Sequence, residues 1–244
     1  NYQNNPYFTL YNNTKPQDRN RINGFYSVSY QLLPWLKATG RIGTDFYKDS
    51  RQIRLDKETN TAPNGQFQTF DYASTETNSD FLLVANKNIS KNFSILATAG
   101  VVRRDNKLTA NEQTATALVV PGLFNFSNAD GAVNVNQYTN TSRINSALGS
   151  VSLGFYNFIY LDASARNDWS STLPAENNSY FYPAASLGLV LSEKIKIPGI
   201  SFLKVRGGYA EAGKDTDPYR LAFVYGALTP WGGTPSFTVP GSRP

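Results

Sequence analysis

The stretch SALGSVSLGFYNFIYLDASARND, residues 146–168, alternates apolar and polar side chains with a period of two. In its first half, Ala147, Val151 and Leu153 fall on one side and serines fall on the other. In its second half, apolar residues within 159–165 alternate with charged or hydroxyl residues. A period of two places successive side chains on opposite faces of a strand, whereas a helix repeats every 3.6 residues. The stretch therefore predicts two strands, each with one apolar and one polar face, joined by a short turn.

The same alternation recurs along the rest of the chain, and no segment has the periodicity of a long helix. We predict eight strands, over residues 22–30, 36–46, 79–87, 93–103, 146–155, 159–168, 182–192 and 203–209. A ninth strand is indicated over 219–225. The fold class that follows is all-β and antiparallel.

The connections between these strands alternate in length. Short ones lie at Leu33-Pro34-Trp35, Asn88–Asn92, Tyr156-Asn157 and Glu193–Ile200, and long ones span 48–76, 105–143, 170–180 and the chain from 212 onward. Compact soluble domains seldom contain structureless loops beyond ~12–15 residues. Outer-membrane barrels combine short periplasmic turns with long extracellular loops. The pattern therefore favours a transmembrane β-barrel segment.

Composition excludes several classes of function. The 244 residues contain no His, Cys or Met, which argues against common metal sites, thiol chemistry, disulfides and histidine acid–base catalysis. We therefore expect no enzyme activity, no metal and no cofactor. The net charge of +5 comes from basic residues scattered singly, so we expect no nucleic-acid partner.

The polar face of each predicted strand carries charged residues. An arginine or lysine facing lipid near the bilayer midplane costs ~2–4 kcal/mol. These side chains are therefore predicted to face a hydrated lumen. The set comprises Lys37, Arg41, Asp45, Asp162, Arg166, Lys204 and Arg206.

Aromatic residues cluster near the predicted short turns, as they do where barrels cross the lipid–water boundary. The set comprises Tyr30, Trp35, Phe93, Phe155, Tyr156, Phe158, Tyr160 and Phe202. The apolar face would then contact the lipid of the outer membrane, which the chain would cross several times.

Three blocks of sequence resemble TonB-dependent transporters of the SusC/RagA type. They are YLDASARNDWSS at 160–171, YFYPAASLG at 180–188, and LKVRGGYA at 203–210 followed by GKDTDPY at 213–219. Together they cover about a quarter of the chain, in the order and spacing of the family. RING at 21–24 and PWL at 34–36 are similar but weaker.

The resemblance implies that residues 1–244 are part of a larger barrel of about 22 strands, whose lumen is plugged. It implies import of oligosaccharides or peptides across the outer membrane of Bacteroidetes-like bacteria. The implied partners are a SusD-like surface lipoprotein and the TonB complex. TonB would act through a plug region and a TonB box that this sequence lacks, as it lacks the C-terminal strands.

Residues near the end of the 159–168 strand are candidates for contact with substrate, because the family binds substrate through lumen and loop residues. Trp169, Tyr180 and Tyr182 offer aromatic faces for a sugar ring, and Asp168, Asn177 and Asn178 offer hydrogen-bonding groups. The competing interpretation is that Trp169 and the tyrosines anchor the barrel at the extracellular boundary.

Two other classes of protein remain open at this point. A secreted glycan-binding β-sandwich would place the charged faces in solvent. A complete small outer-membrane barrel with a structural or adhesive role would close on eight strands.

Overall fold

The computed structural model describes residues 4–221 and 226–238, and most of them lie in one antiparallel sheet. Its eight strands are β1 (Gln17–Leu33), β2 (Leu36–Thr59), β3 (Ala62–Ser90), β4 (Phe93–Ala115), β5 (Asn134–Phe155), β6 (Ile159–Ser170), β7 (Ser179–Val190) and β8 (Lys204–Ala210). They pair in chain order, each with its sequence neighbour. The fold is thus an all-β meander that matches a barrel segment.

Smaller elements complete the described chain. Helix α1 (Pro6–Asn12) precedes the sheet, and its cap residue Asn5 accepts a 2.9 Å hydrogen bond from the Tyr7 amide. Strands β9 (Gly226–Trp231) and β10 (Thr234–Thr238) form a separate two-stranded sheet. No helix in the described part of the chain is both long and apolar enough to cross a membrane.

The short turns follow from local backbone geometry. At the β5–β6 turn, the Phe158 amide donates to the Phe155 carbonyl at 2.9 Å. Tyr156 and Asn157 between them both have positive φ, 53° and 54°. Two successive positive φ angles define the type I′ turn, whose twist suits an antiparallel hairpin. The predicted turns at Pro34-Trp35 and before Phe93 are confirmed as well.

Two predicted loops are wrong, because the strands continue through them. Residues 48–76 belong to the halves of β2 and β3 that lie away from the β1–β2 and β3–β4 turns, and we call this end of the sheet the upper end. The two strands pair there without interruption to Thr59 and Ala62. The predicted loop 105–143 contracts to residues 116–133, since β4 and β5 pair as far as Thr114 and Asn134. At about 3.3 Å per residue, the 29 residues of β3 extend ~95 Å, far beyond the ~9–11 residues that cross a bilayer.

The other departures are smaller. The β7–β8 connection, predicted to be short, runs from 191 to 203 and includes a 3₁₀ turn at Leu191–Glu193. Of the predicted strand 219–225, residues 219–221 form a turn, and 222–225 lie outside the described residues.

The described sheet is a single layer with little core. Its buried apolar residues are Phe67, Ala110, Ala115, Leu118, Ile144 and Val190. No second sheet of comparable size is present in the described ranges, which argues against the β-sandwich. Within those ranges β1 pairs only with β2 and β8 only with β7, so the eight strands do not close into a small barrel.

One loop forms a local core beyond the strands. In residues 116–133, Leu118 is fully buried against Phe67 and Ala115. Its amide donates to the Asn64 carbonyl at 2.9 Å. The loop is further held by the buried Asn128 side chain, which binds the backbone of Val120 and Leu123.

Candidate functional site

The register divides the sheet into two faces of different chemistry. Directly paired residues share a face, and each pair of neighbouring strands keeps one register except beside two short turns, where it shifts between Gln31 and Leu33 and between Asn88 and Ser90. What we call the polar face holds the odd positions of β1 and β2 and the even positions of β3 to β8. All seven charged residues predicted to face a lumen lie on it: Lys37, Arg41, Asp45, Asp162, Arg166, Lys204 and Arg206.

The opposite, apolar face carries a band of uncharged side chains next to the short turns. On β4 and β5 it comprises Phe93, Ile95, Ala97, Ala99, Val101, Ala147, Gly149, Val151, Leu153 and Phe155. The outward positions from Phe93 to Val101 span the ~9–11 residues that a tilted strand needs to cross a bilayer. Many large apolar side chains of this face are exposed, such as Ile22 at 74% and Phe181 at 60%.

Charges on the polar face pair across strands. Arg41 Nε donates to Asp80 Oδ2 at 2.9 Å, and Arg21 binds Asp45. Lys204 Nζ lies 5.8 Å from the ring centroid of Tyr160, which stands on this face rather than in the apolar band. Cross-strand pairing of this kind keeps charged side chains compatible with a partly enclosed, hydrated space.

A tyrosine–carboxylate cluster lies at the upper end of β6 and β7 on the polar face. Arg166 Nε donates to Asp168 Oδ1 at 2.7 Å, and the Tyr182 hydroxyl binds the same carboxylate. Arg166 also donates to Ser146 Oγ at 2.9 Å. The Tyr180 and Tyr182 rings are stacked with centroids 6.0 Å apart. The cluster therefore presents two aromatic rings held beside a paired, mostly buried carboxylate.

The segment that follows β8 lies over this cluster. A Cβ atom at Gly213 would come within 2.9 Å of the Tyr180 ring, so glycine permits the close approach. Asp215 Oδ2 accepts hydrogen bonds from Ser170 Oγ at 2.7 Å and Thr172 Oγ1 at 3.2 Å. Part of the Tyr180 ring is consequently covered by the chain itself.

The other three candidate residues lie apart from the cluster. Trp169 pairs with Asn145 and Ser179 on the apolar face, where its side chain is 42% exposed. Asn177 and Asn178 lie in the loop between β6 and β7, just beyond the strands. The structure thus brings together Asp168, Tyr180 and Tyr182 with Arg166, and separates Trp169 from them.

A second polar network was missed by the sequence analysis, because it lies on strands that were predicted to be loop. Asp49 on β2 is 1% exposed and accepts from Arg51 Nη2 at 2.8 Å and from Gln17 Nε2 at 3.1 Å. The guanidinium of Arg51 lies 5.8 Å from the Tyr72 ring centroid. Glu112 joins the network by accepting from the Tyr72 hydroxyl at 2.8 Å. The sequence does contain a signal for this network: residues 47–51 alternate, so that Tyr47, Asp49 and Arg51 share one face of a strand.

This network makes the upper end of the β1–β2 hairpin sensitive to acid. The hydrogen bond from Arg51 holds the pKa of Asp49 below its ordinary value. A carboxylate with a lowered folded pKa contributes stability above the unfolded pKa of ~3.9 and loses it as the pH falls through the folded value. We expect amide exchange at residues 17–21 and 47–51 to accelerate at pH 3 relative to pH 6, after correction for intrinsic rates.

The Asp49→Asn variant should abolish that pH difference, while Asp18→Asn, at an exposed carboxylate, should keep it. An unchanged pH difference in Asp49→Asn would show that other groups control this end of the sheet.

No group of three or more acidic, histidine or cysteine side chains suited to a metal ion occurs in residues 4–221 and 226–238.

Comparison with known proteins supports the fold. No family model matches the sequence, and no curated protein matches it. Among solved structures, the chain is similar to the RagAB peptide transporter, with a TM-score of 0.81 and 14% identity over 96% of this chain. It is also similar to the RagAB peptide importer in its open-open state, with a TM-score of 0.78 and 14% identity. For the closed-closed state the TM-score is 0.79 and the identity 13%.

The chain spans about a quarter of the length of these structures: 27% of the first, 26% of the second and 27% of the third. At these identities the likeness establishes the architecture alone, an antiparallel sheet that matches a barrel segment.

Proposed function

We propose that this chain is part of the barrel wall of a TonB-dependent transporter of the SusC/RagA type, which imports oligosaccharides or peptides across the bacterial outer membrane. The observation that carries the proposal is the division of one continuous sheet into a charged face and an apolar band of membrane-crossing length. Such a band, if left in water, would be an apolar patch far larger than soluble proteins tolerate.

The two faces then have separate roles. The apolar band contacts lipid, and the polar face lines the lumen through which substrate passes. The charged residues on the polar face are paired or exposed, so the lumen is hydrated. The chain acts as wall and binding surface and carries out no covalent chemistry, which agrees with transporters rather than enzymes as structural neighbours.

The partners in this proposal follow from the sequence resemblance and from the neighbours. A SusD-like lipoprotein would cover the extracellular mouth, close to the long upper ends of β2 to β5. TonB would act through a plug region outside this chain. Peptides are the first substrate to test, because the similar structures are those of a peptide transporter and importer.

Substrate contact is proposed for Tyr180, Tyr182, Asn177 and Asn178, and the buried Asp168 is proposed to hold the Tyr182 hydroxyl in place. The two rings share the polar face, and both tyrosines are half-buried beside the segment at 211–217. Trp169 is assigned instead to the extracellular boundary, since it lies on the apolar face. A pair of aromatic rings is suited to a sugar or to an apolar peptide side chain.

The test is uptake of fluorescent oligopeptides and oligosaccharides by cells that express the full-length protein. Cells without it should lose uptake of at least one of the two substrate classes. A Tyr180→Ala/Tyr182→Ala variant should weaken that uptake on the order of tenfold, since each aromatic contact is worth ~0.5–1.5 kcal/mol.

Phe181→Ala is the matched control, because Phe181 lies between the two tyrosines but on the apolar face. It should transport as the unmodified protein does. Equal uptake by the tyrosine variant and this control would contradict the assignment of substrate contact, and uptake unaffected by loss of the protein would contradict the transporter.

A further inference from the structure

A basic cluster stands on the apolar face directly above the band, on the side away from the short β1–β2, β3–β4 and β5–β6 turns. Asp105 on β4 is paired directly with Arg143 on β5, and Arg103 and Lys107 flank Asp105 on the same face. The next outward residue toward the short turns is Val101, the upper limit of the band. On β4 and β5, the charges of this face therefore begin just beyond the band.

The cluster carries more positive charge than its own acid neutralises. Arg103 Nε donates to Asp105 Oδ2 at 2.7 Å, and Arg143 Nε donates to Asp105 Oδ1 at 2.5 Å. One carboxylate thus faces two guanidinium groups and the exposed Lys107, a net charge of +2. Both arginine side chains are 50% exposed, and each guanidinium keeps further N–H donors directed away from Asp105.

Hydroxyl groups surround the same position. Thr75, Thr77, Thr141 and Ser171 line a depression together with Asp105, Lys107 and Arg143. Ser171 Oγ accepts from the Arg143 amide at 2.8 Å, and Thr141 Oγ1 lies 3.1 Å from the Tyr219 hydroxyl oxygen. The guanidinium of Arg143, the ammonium of Lys107 and the hydroxyls in this depression form a donor-rich surface that suits phosphate oxygens.

The lateral neighbour of the cluster is an aromatic residue at the same level. Arg103 pairs with Asn145, and Asn145 pairs with Trp169, so the three residues form one row across the apolar face. Tryptophan on an outward face is typical of the level of lipid headgroups. Basic, hydroxyl and aromatic groups are thus arranged along the edge of the band.

We propose that this cluster binds the phosphate-bearing headgroup of an anionic lipid in the outer leaflet, whose acyl chains lie against the apolar band below. The inference rests on the proposed function, because it requires that the apolar face meet lipid. Continuity with the band favours a lipid over a soluble phosphate compound, since only a lipid would occupy both surfaces together.

The test is native mass spectrometry of the full-length protein, exchanged into micelles containing diphosphoryl lipid A or phosphatidylcholine. The unmodified protein should retain lipid A preferentially. Arg103→Ala/Arg143→Ala should lower that retention on the order of 30-fold, since each basic residue contributes ~1 kcal/mol near an anionic lipid surface. Asp105→Asn, which removes the competing carboxylate, should raise it.

Arg104→Ala is the matched control, because Arg104 is adjacent in sequence but lies on the polar face. It should retain lipid A as the unmodified protein does. The variant Arg103→Lys/Arg143→Lys keeps both positive charges and should retain most of the lipid A. It shows whether the loss in the alanine variant comes from the charge rather than from misfolding. Heat-dependent gel mobility verifies that each variant forms a barrel.

The proposal is overturned if folded Arg103→Ala/Arg143→Ala retains lipid A as well as the Arg104→Ala control. It is also overturned if inorganic phosphate displaces lipid A at a concentration equal to that of the lipid. A protein that stays in the membrane but shows no preference for lipid A contradicts only this inference, whereas a protein that requires no membrane or micelle contradicts the proposed function itself.

Discussion

Replacement of Ala97 by arginine is expected to destabilise the full-length protein in a bilayer by ~2–4 kcal/mol. Ala97 lies on the apolar face of β4, midway between Phe93 and Val101. An arginine there must either enter hydrocarbon or distort the sheet to reach water. The free energy of unfolding, from guanidinium titration in lipid vesicles, measures the cost.

The control for this prediction is Thr98→Arg, one residue along the same strand. Thr98 lies on the polar face opposite Val84 and Ser150, so its side chain points toward the proposed lumen. The same charge should cost well under half as much there. Equal destabilisation at both positions would mean that the two faces of β4 have the same surroundings, and the proposed orientation would be wrong.

The Leu118→Ala variant is expected to release the loop 116–133 from the upper end of the sheet. Leu118 is fully buried against Phe67, and a leucine-to-alanine change at such a site costs ~2–5 kcal/mol through lost apolar contact and a residual cavity. Leu118 is one of the three buried residues of this local core, and the partly buried side chains around it pack against those three. Faster amide exchange in the loop, without change in β6 and β7, is the expected result.

Val119→Ala serves as the comparison, because Val119 is the next residue and is 58% exposed. Its exchange should resemble that of the unmodified protein. Protection of the loop that survives Leu118→Ala would show that the hydrogen bonds of Asn128, rather than apolar packing, hold the loop in place.

The sequence predicts the parts of the strands nearest the short turns well, for a physical reason. Where one face is apolar and the other polar, as from Ile159 to Asp168, the alternation is visible in the residues themselves. The upper half of β3, from Gln68 to Thr77, carries polar residues on both faces. Alternation disappears there, although the pairing with β2 continues without a break.

The same alternation predicts part of the candidate site. The even positions Asp168, Tyr180 and Tyr182 share a face because of strand pairing, and alternation places Asp168 opposite to Trp169. The contact of Asp215 with Ser170 spans 45 residues and follows from no local pattern. The network around Asp49 was missed together with the strand that carries it.

The most direct test of the membrane orientation is fluorescence quenching along β4. The chain contains no cysteine, so single cysteines can be placed in it and labelled with bimane in an otherwise cysteine-free full-length protein. Reconstitution into brominated phospholipid bilayers should quench labels at Ile95, Ala97 and Ala99 strongly and labels at Leu96 and Thr98 weakly. Quenching without this alternation, or no quenching at any position, would contradict a strand with one face in lipid and the other toward a lumen.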